Sequence, residues 1–139
     1  MNRRTQLIFY ICILIAAVIV YMPVSITNFE RYPEHSDVVS VIVREKFAGP
    51  VVLELSNPEE IEVFCTAVSE LKLRKTPLKS VYPQSPDLYG IQLWTSNEEC
   101  FEFWIDGDLV KAQRLGKHTH FVIVGEPFAL DVFLPQEDQ

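Results

Sequence analysis

An unbroken uncharged stretch near the N-terminus constrains this chain more than any other feature. Every residue from Leu7 to Met22 is apolar, and the next four residues extend the uncharged stretch to Ile26, a length of 20 residues. A helix rises 1.5 Å per residue, so this segment would be about 30 Å long, which matches the hydrocarbon core of a bilayer. The segment 7–26 therefore predicts a transmembrane helix whose partner is the lipid bilayer.

The end of this stretch favours an uncleaved anchor over a cleaved signal peptide. A signal peptide has a shorter apolar core, of about 7 to 15 residues, followed by small residues at the cleavage site. Here the run ends in Val20, Tyr21 and Met22, without an Ala-x-Ala pattern, and no small residues precede Cys12 as they would in a lipoprotein. We therefore expect a signal-anchor, single-pass protein.

The flanking charges predict the orientation of the anchor. Arg3 and Arg4 precede it, whereas Glu30 and Glu34 follow it. By the positive-inside rule, the N-terminus lies in the cytoplasm and the rest of the chain lies outside the cell membrane. The expected organisation is a cytoplasmic tail at 1–6, an anchor at 7–26, a tether at 27–37 and an extracytoplasmic domain at 38–139.

The part of the chain after the anchor is strongly acidic. From residue 27 onward it holds 10 Lys and Arg against 19 Asp and Glu, a net charge of −9. A nucleic-acid binder needs a basic stripe that can displace counterions from phosphates. The charge therefore argues against a nucleic-acid partner.

The first half of the domain predicts two strands and a helix. The β-branched runs 38–44 and 51–55 flank a turn at Gly49 and Pro50. Asn57 has the properties of a helix N-cap, with Pro58 at the first helical position. An apolar stripe at helical spacing follows, and two basic residues near its end suit a helix C-terminus before Pro77. The stripe residues are Ile61, Phe64, Cys65, Val68 and Leu71, and the two basic residues are Arg74 and Lys75.

The second half predicts a four-stranded antiparallel meander at 89–95, 100–106, 109–115 and 118–124. A two-residue turn at Gly107 and Asp108 pairs Ile105 with Val110 and Phe103 with Ala112. A loop of three or five residues around Asn97 places Leu93 opposite Phe101. A turn at Gly116 and Lys117 pairs Ala112 with Phe121 and Val110 with Ile123. Pro127 can start a final short helix that buries Phe128, Leu130, Phe133 and Leu134. The expected fold is α+β, with the order ββαββββα and the meander packed on one helix.

The same register defines the outward face of the meander. Its three rows are Trp94, Cys100, Leu115 and His118; then Gln92, Glu102, Gln113 and His120; then Gly90, Trp104, Lys111 and Val122. Trp supplies a large contact area at low entropic cost, and Trp104 can stack under Lys111. The candidate binding surface is therefore Trp94, Glu102, Trp104, Lys111 and His120. The alternative is structural: Trp104 covers Gly90, and the first hairpin or the last helix packs over the rest.

The other residues that could bind a metal or form a disulfide are not predicted to lie close together. Cys100 and His118 would be two strands apart, about 9.6 Å between backbones, which is too far to share a zinc ion. Cys65 should face the core and Cys100 should face away from it, which favours two free thiols over a disulfide. Asp106-Gly107-Asp108 lacks the further ligands of a calcium loop, and nucleophile-elbow, phosphate-loop and dinucleotide motifs are absent. We expect no enzyme activity, no catalytic residues, no metal and no cofactor.

The run from Pro86 to Leu93, followed by Phe101 to Ile105, is similar to a P…Y-x-I-x-I…dg…Y-x-[FL]-W pattern. Together with the order of elements, this run resembles a group of small extracytoplasmic domains of unknown function in Gram-positive bacteria, which includes membrane-anchored proteins and lipoproteins. It covers most of 38–134, and this chain departs from the lipoprotein members in lacking a lipidation cysteine. The resemblance implies a structural pattern and no established activity.

Two functions remain open from the sequence. The first is an interaction or sensing module outside the membrane, with a protein partner of unknown identity. The alternative is an accessory or regulatory subunit of a membrane complex, recruited through the anchor helix. Ser80 to Asp87, which is rich in proline, is either a recognition loop or a rigid connection.

Overall fold

The computed structural model describes residues 2–135 as two α-helices and one eight-stranded sheet, with three short 3₁₀ turns. The elements in chain order are α1 (Arg3–Val20), β1 (Val24–Ser25), β2 (Val38–Glu45), β3 (Val51–Leu55), α2 (Pro58–Ser69), β4 (Lys72–Lys75), β5 (Leu88–Thr95), β6 (Cys100–Asp106), β7 (Leu109–Arg114) and β8 (Lys117–Ile123). The 3₁₀ turns lie at Ile26–Asn28, His35–Asp37 and Leu130–Val132.

Helix α1 is long and apolar enough to cross a membrane, and none of its residues is buried against the rest of the molecule. The side chain of Asn2 caps it by accepting a hydrogen bond from the Arg4 amide at 2.7 Å. Its 18 residues span about 27 Å. The helix stops at Val20, so the segment 7–26 is not one helix as expected. Pro23 has no amide hydrogen to donate, which prevents the helix from continuing.

The segment after α1 belongs to the folded domain. Ile26 is completely buried, and Phe29 packs against Phe121 with ring centroids 5.1 Å apart. The segment 27–37, which the sequence predicted as a tether, therefore contributes Phe29 to the core. Its apolar residues are too widely spaced to show a strand or helix period, but they complete the core.

All eight strands form one antiparallel sheet in the order β1-β4-β8-β7-β6-β5-β2-β3. The structure confirms the α+β class and the β5–β8 meander. It also contains two strands that the sequence did not predict, β1 and β4, which pair with each other at Val24 and Leu73. After α1 the order is three strands, α2 and five strands, which differs from the expected ββαββββα.

Helix α2 begins as the sequence predicts and ends earlier. The Asn57 side chain accepts a hydrogen bond from the Glu59 amide at 2.9 Å, and the apolar stripe through Val68 is buried. The helix ends at Ser69, so Arg74 and Lys75 do not lie in its last turn. They belong to β4, whose pairing with β8 adds a ladder of hydrogen bonds that a longer helix could not make.

The register of the meander is confirmed at its first two turns and wrong at the third. Ile105 lies opposite Val110, and Leu93 lies opposite Phe101. Val110, however, lies opposite Phe121 instead of Ile123, a shift of two residues. The turn is formed by Leu115 and Gly116, with φ values of 51° and 77°, instead of Gly116 and Lys117. Side chains alternate with a period of two, so the core-facing set is unchanged by this shift.

Between β8 and residue 135, where the description of the structure ends, the chain returns to the core without forming an α-helix. A single 3₁₀ turn occurs at Leu130–Val132, so the expected final helix is wrong. The aromatic residues of this segment are nevertheless packed as expected. Phe128 and Phe133 contact Phe64 of α2, with ring centroids 5.9 and 4.9 Å apart.

Candidate functional site

The candidate residues lie on the face of the sheet that points away from α2, which we call the outer face. Phe101, Phe103 and Ile105 of β6 are buried in the core, and the residues between them alternate to the other side. The five candidate side chains on this face are all half-buried: Trp94, Glu102, Trp104, Lys111 and His120. A rigid antiparallel sheet therefore presents all of them in one direction.

Lys111 lies between two aromatic rings near the centre of the outer face. It is opposite Trp104 on the neighbouring strand, with its Nζ 5.7 Å from the centre of the Trp104 ring. The same Nζ is 5.2 Å from the ring of Phe47, which comes from the β2–β3 turn and contacts Trp104 edge-on at 5.5 Å. We call Phe47, Trp104 and Lys111 the cation–aromatic cluster, because both rings stabilise the ammonium charge.

Gly90 allows Trp104 to lie flat on the sheet. A Cβ atom at position 90 would be 3.2 Å from Trp104 Nε1 and 3.3 Å from Cδ1, which is closer than side chains normally approach. Trp104 therefore does cover Gly90, and the first hairpin contributes Phe47 beside it. The remaining candidate residues stay accessible around this packed centre.

His120 lies next to Lys111 instead of next to Gln113, because of the two-residue shift at the third turn. Its Nδ1 accepts a hydrogen bond from the Val81 amide at 3.1 Å, so the connector between β4 and β5 is joined to the outer face here. Burial, together with the charge of Lys111, lowers the pKa of His120 below its ordinary value of 6.5. An accepting Nδ1 and a lowered pKa both indicate a neutral imidazole at neutral pH.

The expected row of Trp94, Cys100, Leu115 and His118 is also incorrect beyond its first pair. His118 lies opposite Gln113, and Leu115 belongs to the turn. The ring of His118 is 5.8 Å from that of Trp104, edge-on. His118 therefore borders the cation–aromatic cluster.

A second group on the outer face is a chain of hydrogen bonds across β5 and β6. Trp94 Nε1 donates to Gln92 Oε1 at 3.2 Å, and Gln92 Nε2 donates to Glu102 Oε2. Gln92 therefore fixes both the indole and the carboxylate. The outer face offers an acid and an indole on β5 and β6, and an amine and an imidazole on β7 and β8.

The thiols are separated by the sheet, as the register predicts. Cys65 is buried in the core and Cys100 is half-exposed on the outer face, and both are free. Burial raises the pKa of each thiol to about 11, and Glu102 adds to the effect at Cys100. Such thiols are poorly ionised at neutral pH, which makes them weak nucleophiles. Within residues 2–135, no three His, Cys, Asp or Glu side chains are grouped to hold a metal ion.

A cleft beside the β5–β6 turn was missed from the sequence. Its volume is about 570 Å³, and its lining includes Tyr32, Asp37, Glu98 and Cys100. The hydroxyl of Tyr32 is hydrogen-bonded to His35 Nε2 at 2.9 Å. Tyr32 and Asp37 come from the segment 27–37 that was expected to be a tether, and the sequence carried no periodic signal that could have placed them there.

No protein-family model, curated protein or solved structure matches this chain. The features of this chain that bear on its function are its α+β fold, the apolar α1 and the geometry of the outer face.

Proposed function

We propose that this chain is a single-pass membrane protein whose outward domain binds a protein partner through the outer face. Helix α1 is the anchor in this proposal, with the N-terminus in the cytoplasm. The domain is an interaction or sensing module and not an enzyme. The residues that would make the contact are Trp94, Glu102, Trp104, Lys111 and His120.

The observation that carries this proposal is the organisation of the outer face. Two indoles, a carboxylate and an amine are held half-exposed by neighbouring groups on a rigid sheet. Fixed aromatic and charged side chains lose little conformational entropy on binding, and Trp is enriched among residues that dominate binding energy. The two sides of the face differ in charge, which would orient a partner carrying the complementary pattern.

The alternative is an accessory subunit recruited through α1. The observation in its favour is that every side chain of α1 is exposed, so the whole helix surface is available to lipid or to another helix. In that case the folded domain would make no contact that assembly requires, and changes on the outer face would have no effect on assembly.

Affinity purification from gently solubilised membranes separates the two proposals. The intact chain is compared with the double variant Trp94→Ala/Trp104→Ala and with a variant whose α1 is replaced by an unrelated apolar helix of equal length. Loss of the partner in the double variant alone supports the outer face. Loss in the helix replacement alone supports the accessory subunit.

A matched control removes two apolar side chains from the opposite side of the molecule. Val63 and Val132 are 61% and 76% exposed, so Val63→Ala/Val132→Ala should leave both folding and partner recovery unchanged. The folding of each variant is checked by thermal unfolding. Equal recovery of a partner with the Trp variant and the Val variant would contradict the outer-face proposal.

A further inference from the structure

The last turn of α1 shares a cleft with one corner of the folded domain. The cleft has a volume of about 520 Å³, and Ile19 and Val20 form its helix side. Its domain side includes three basic residues and one exposed leucine, which together we call the basic corner: Lys75, Arg114, Lys117 and Leu115. These residues come from the end of β4 and from the β7–β8 turn.

The charge of the basic corner is opposite to that of the domain as a whole. Residues from 27 onward carry a net charge of −9, yet three of their ten cationic side chains meet in this cleft. The guanidinium of Arg114 is held 5.8 Å from the ring of Phe29, so its position is fixed by stacking. The neighbouring β5–β6 turn at the same end of the sheet carries the opposite charge, on Glu98 and Glu99.

Leu115 is unusual for both its exposure and its backbone. It is 80% exposed, although it is a large apolar side chain. Its φ of 51° lies in the left-handed region, and the two-residue turn it forms with Gly116 is one in which Asn is the preferred first residue. Neither folding nor solubility is improved by leucine here, so its presence points to a contact outside the molecule.

We propose that the basic corner binds the headgroups of anionic phospholipids, with Leu115 entering the interface between headgroups and acyl chains. This inference rests on the proposed role of α1 as a membrane anchor. If α1 spans the bilayer, then Ile19 and Val20 lie at the end of its apolar length, where the headgroup layer begins. The cleft that they share with the basic corner lies in that same layer. Cations near an anionic surface are attracted to it, and an apolar side chain beside them adds to the binding.

The test uses the full chain in nanodiscs of two compositions. One contains phosphatidylcholine alone, and the other contains phosphatidylcholine mixed with phosphatidylglycerol. Hydrogen exchange is measured at the backbone amides of 114–117. We expect exchange at least about fivefold slower in the anionic discs, since each cation near such a surface contributes about this factor, and we expect the difference to shrink in high salt.

Two charge variants test whether the basic corner is responsible. Lys75→Gln/Lys117→Gln should remove most of the difference between the two disc compositions. The matched control, Arg44→Gln/Lys46→Gln, removes two cations at the opposite end of the sheet and should leave the difference intact. An equal loss in both variants would overturn the proposal.

A third variant separates the lipid contact from folding. Leu115→Asn places a residue that tolerates a positive φ into the turn, so the folded domain should become more stable or stay unchanged. Protection by the anionic discs should nevertheless decrease by at least about threefold, because the apolar contribution is lost. A variant with unchanged protection would contradict the role of Leu115 in the lipid contact.

Two results separate the headgroup contact from the membrane anchoring by α1 on which it rests. If the chain fails to float with vesicles after an alkaline wash, both the anchor and the headgroup contact are overturned. If the chain is firmly incorporated but 114–117 exchanges equally in both discs, only the headgroup contact is overturned. The proposal for the outer face would be unaffected by that second result.

Discussion

Acidification should release the connector from the outer face at His120. The Val81 amide donates to His120 Nδ1 at 3.1 Å, and this hydrogen bond requires an unprotonated nitrogen. Protonation of His120 at Nδ1 would place an N–H group opposite the Val81 amide, and two donors cannot form a hydrogen bond with each other. A hydrogen bond of this kind contributes about 1 kcal/mol, so its loss should increase the open fraction of the connector about fivefold.

The direction of the pH dependence follows from the lowered pKa of His120 in the folded protein. The unfolded chain takes up the proton first as the pH falls. The contribution of His120 to stability is therefore complete above its ordinary pKa of 6.5. It decreases as the pH falls below that value and is lost once the pH passes the lower pKa of the folded state.

The assay is the protection factor of the Val81 amide, measured by hydrogen exchange and corrected for the intrinsic pH dependence of exchange. Between about pH 8 and a pH below the lowered pKa of His120 in the folded state, it should fall about fivefold in the native chain. His120→Asn keeps an oxygen acceptor near the position of Nδ1 but does not titrate, so its protection should not change with pH. His118→Asn is the control on the same strand and should retain the native pH profile. Constant protection in the native chain, or the same fall in His120→Asn, would refute the reasoning.

Three further predictions concern the fold that supports the outer face. Phe64→Ala should lower the free energy of unfolding by about 3–5 kcal/mol in urea, because the ring is fully buried against two other aromatic rings; a loss below about 1 kcal/mol would contradict that packing. Asn57→Ala should cost about 1 kcal/mol and Asn57→Ser much less, because the side-chain cap of α2 is removed only in the first; equal losses would argue against the cap. Cys65 is buried and should react with iodoacetamide only when the domain unfolds. Cys100 is half-exposed and should react slowly in the folded state, because burial raises its pKa, like that of Cys65, to about 11. Equal rates for the two thiols would disprove their separation by the sheet.

The sequence correctly predicted those elements whose ends and buried faces are determined by residues close together in the chain. The cap at Asn57 and the stripe through Val68 defined the start and the buried face of α2. The alternation of β5 and β6 fixed their pairing, because a shift of one residue would have exposed Phe101 and Phe103. The third turn lacked this constraint, since a shift by two residues keeps the same side chains in the core. That ambiguity placed His120 beside the wrong neighbour.

Other features depend on contacts between distant parts of the chain. Strands β1 and β4 have two and four residues, which is too short for a visible period, and each is stabilised by its neighbour in the sheet. Phe47 and Val81 reach the outer face from turns and connectors, so no pattern within the strands could have revealed them. The five candidate residues were predicted to share a face, but the cation–aromatic cluster and the hydrogen bond to His120 needed the three-dimensional structure.

Photocrosslinking in living cells tests the proposed function most directly. A benzoylphenylalanine is placed at Gln113, which is exposed on the outer face, or at Val63, which is exposed on α2 on the other side of the molecule. The proposal predicts a crosslinked protein from Gln113 that disappears when Trp94→Ala/Trp104→Ala is added, and none from Val63. A partner crosslinked equally from both positions, or one from Gln113 that persists in the Trp variant, would contradict it.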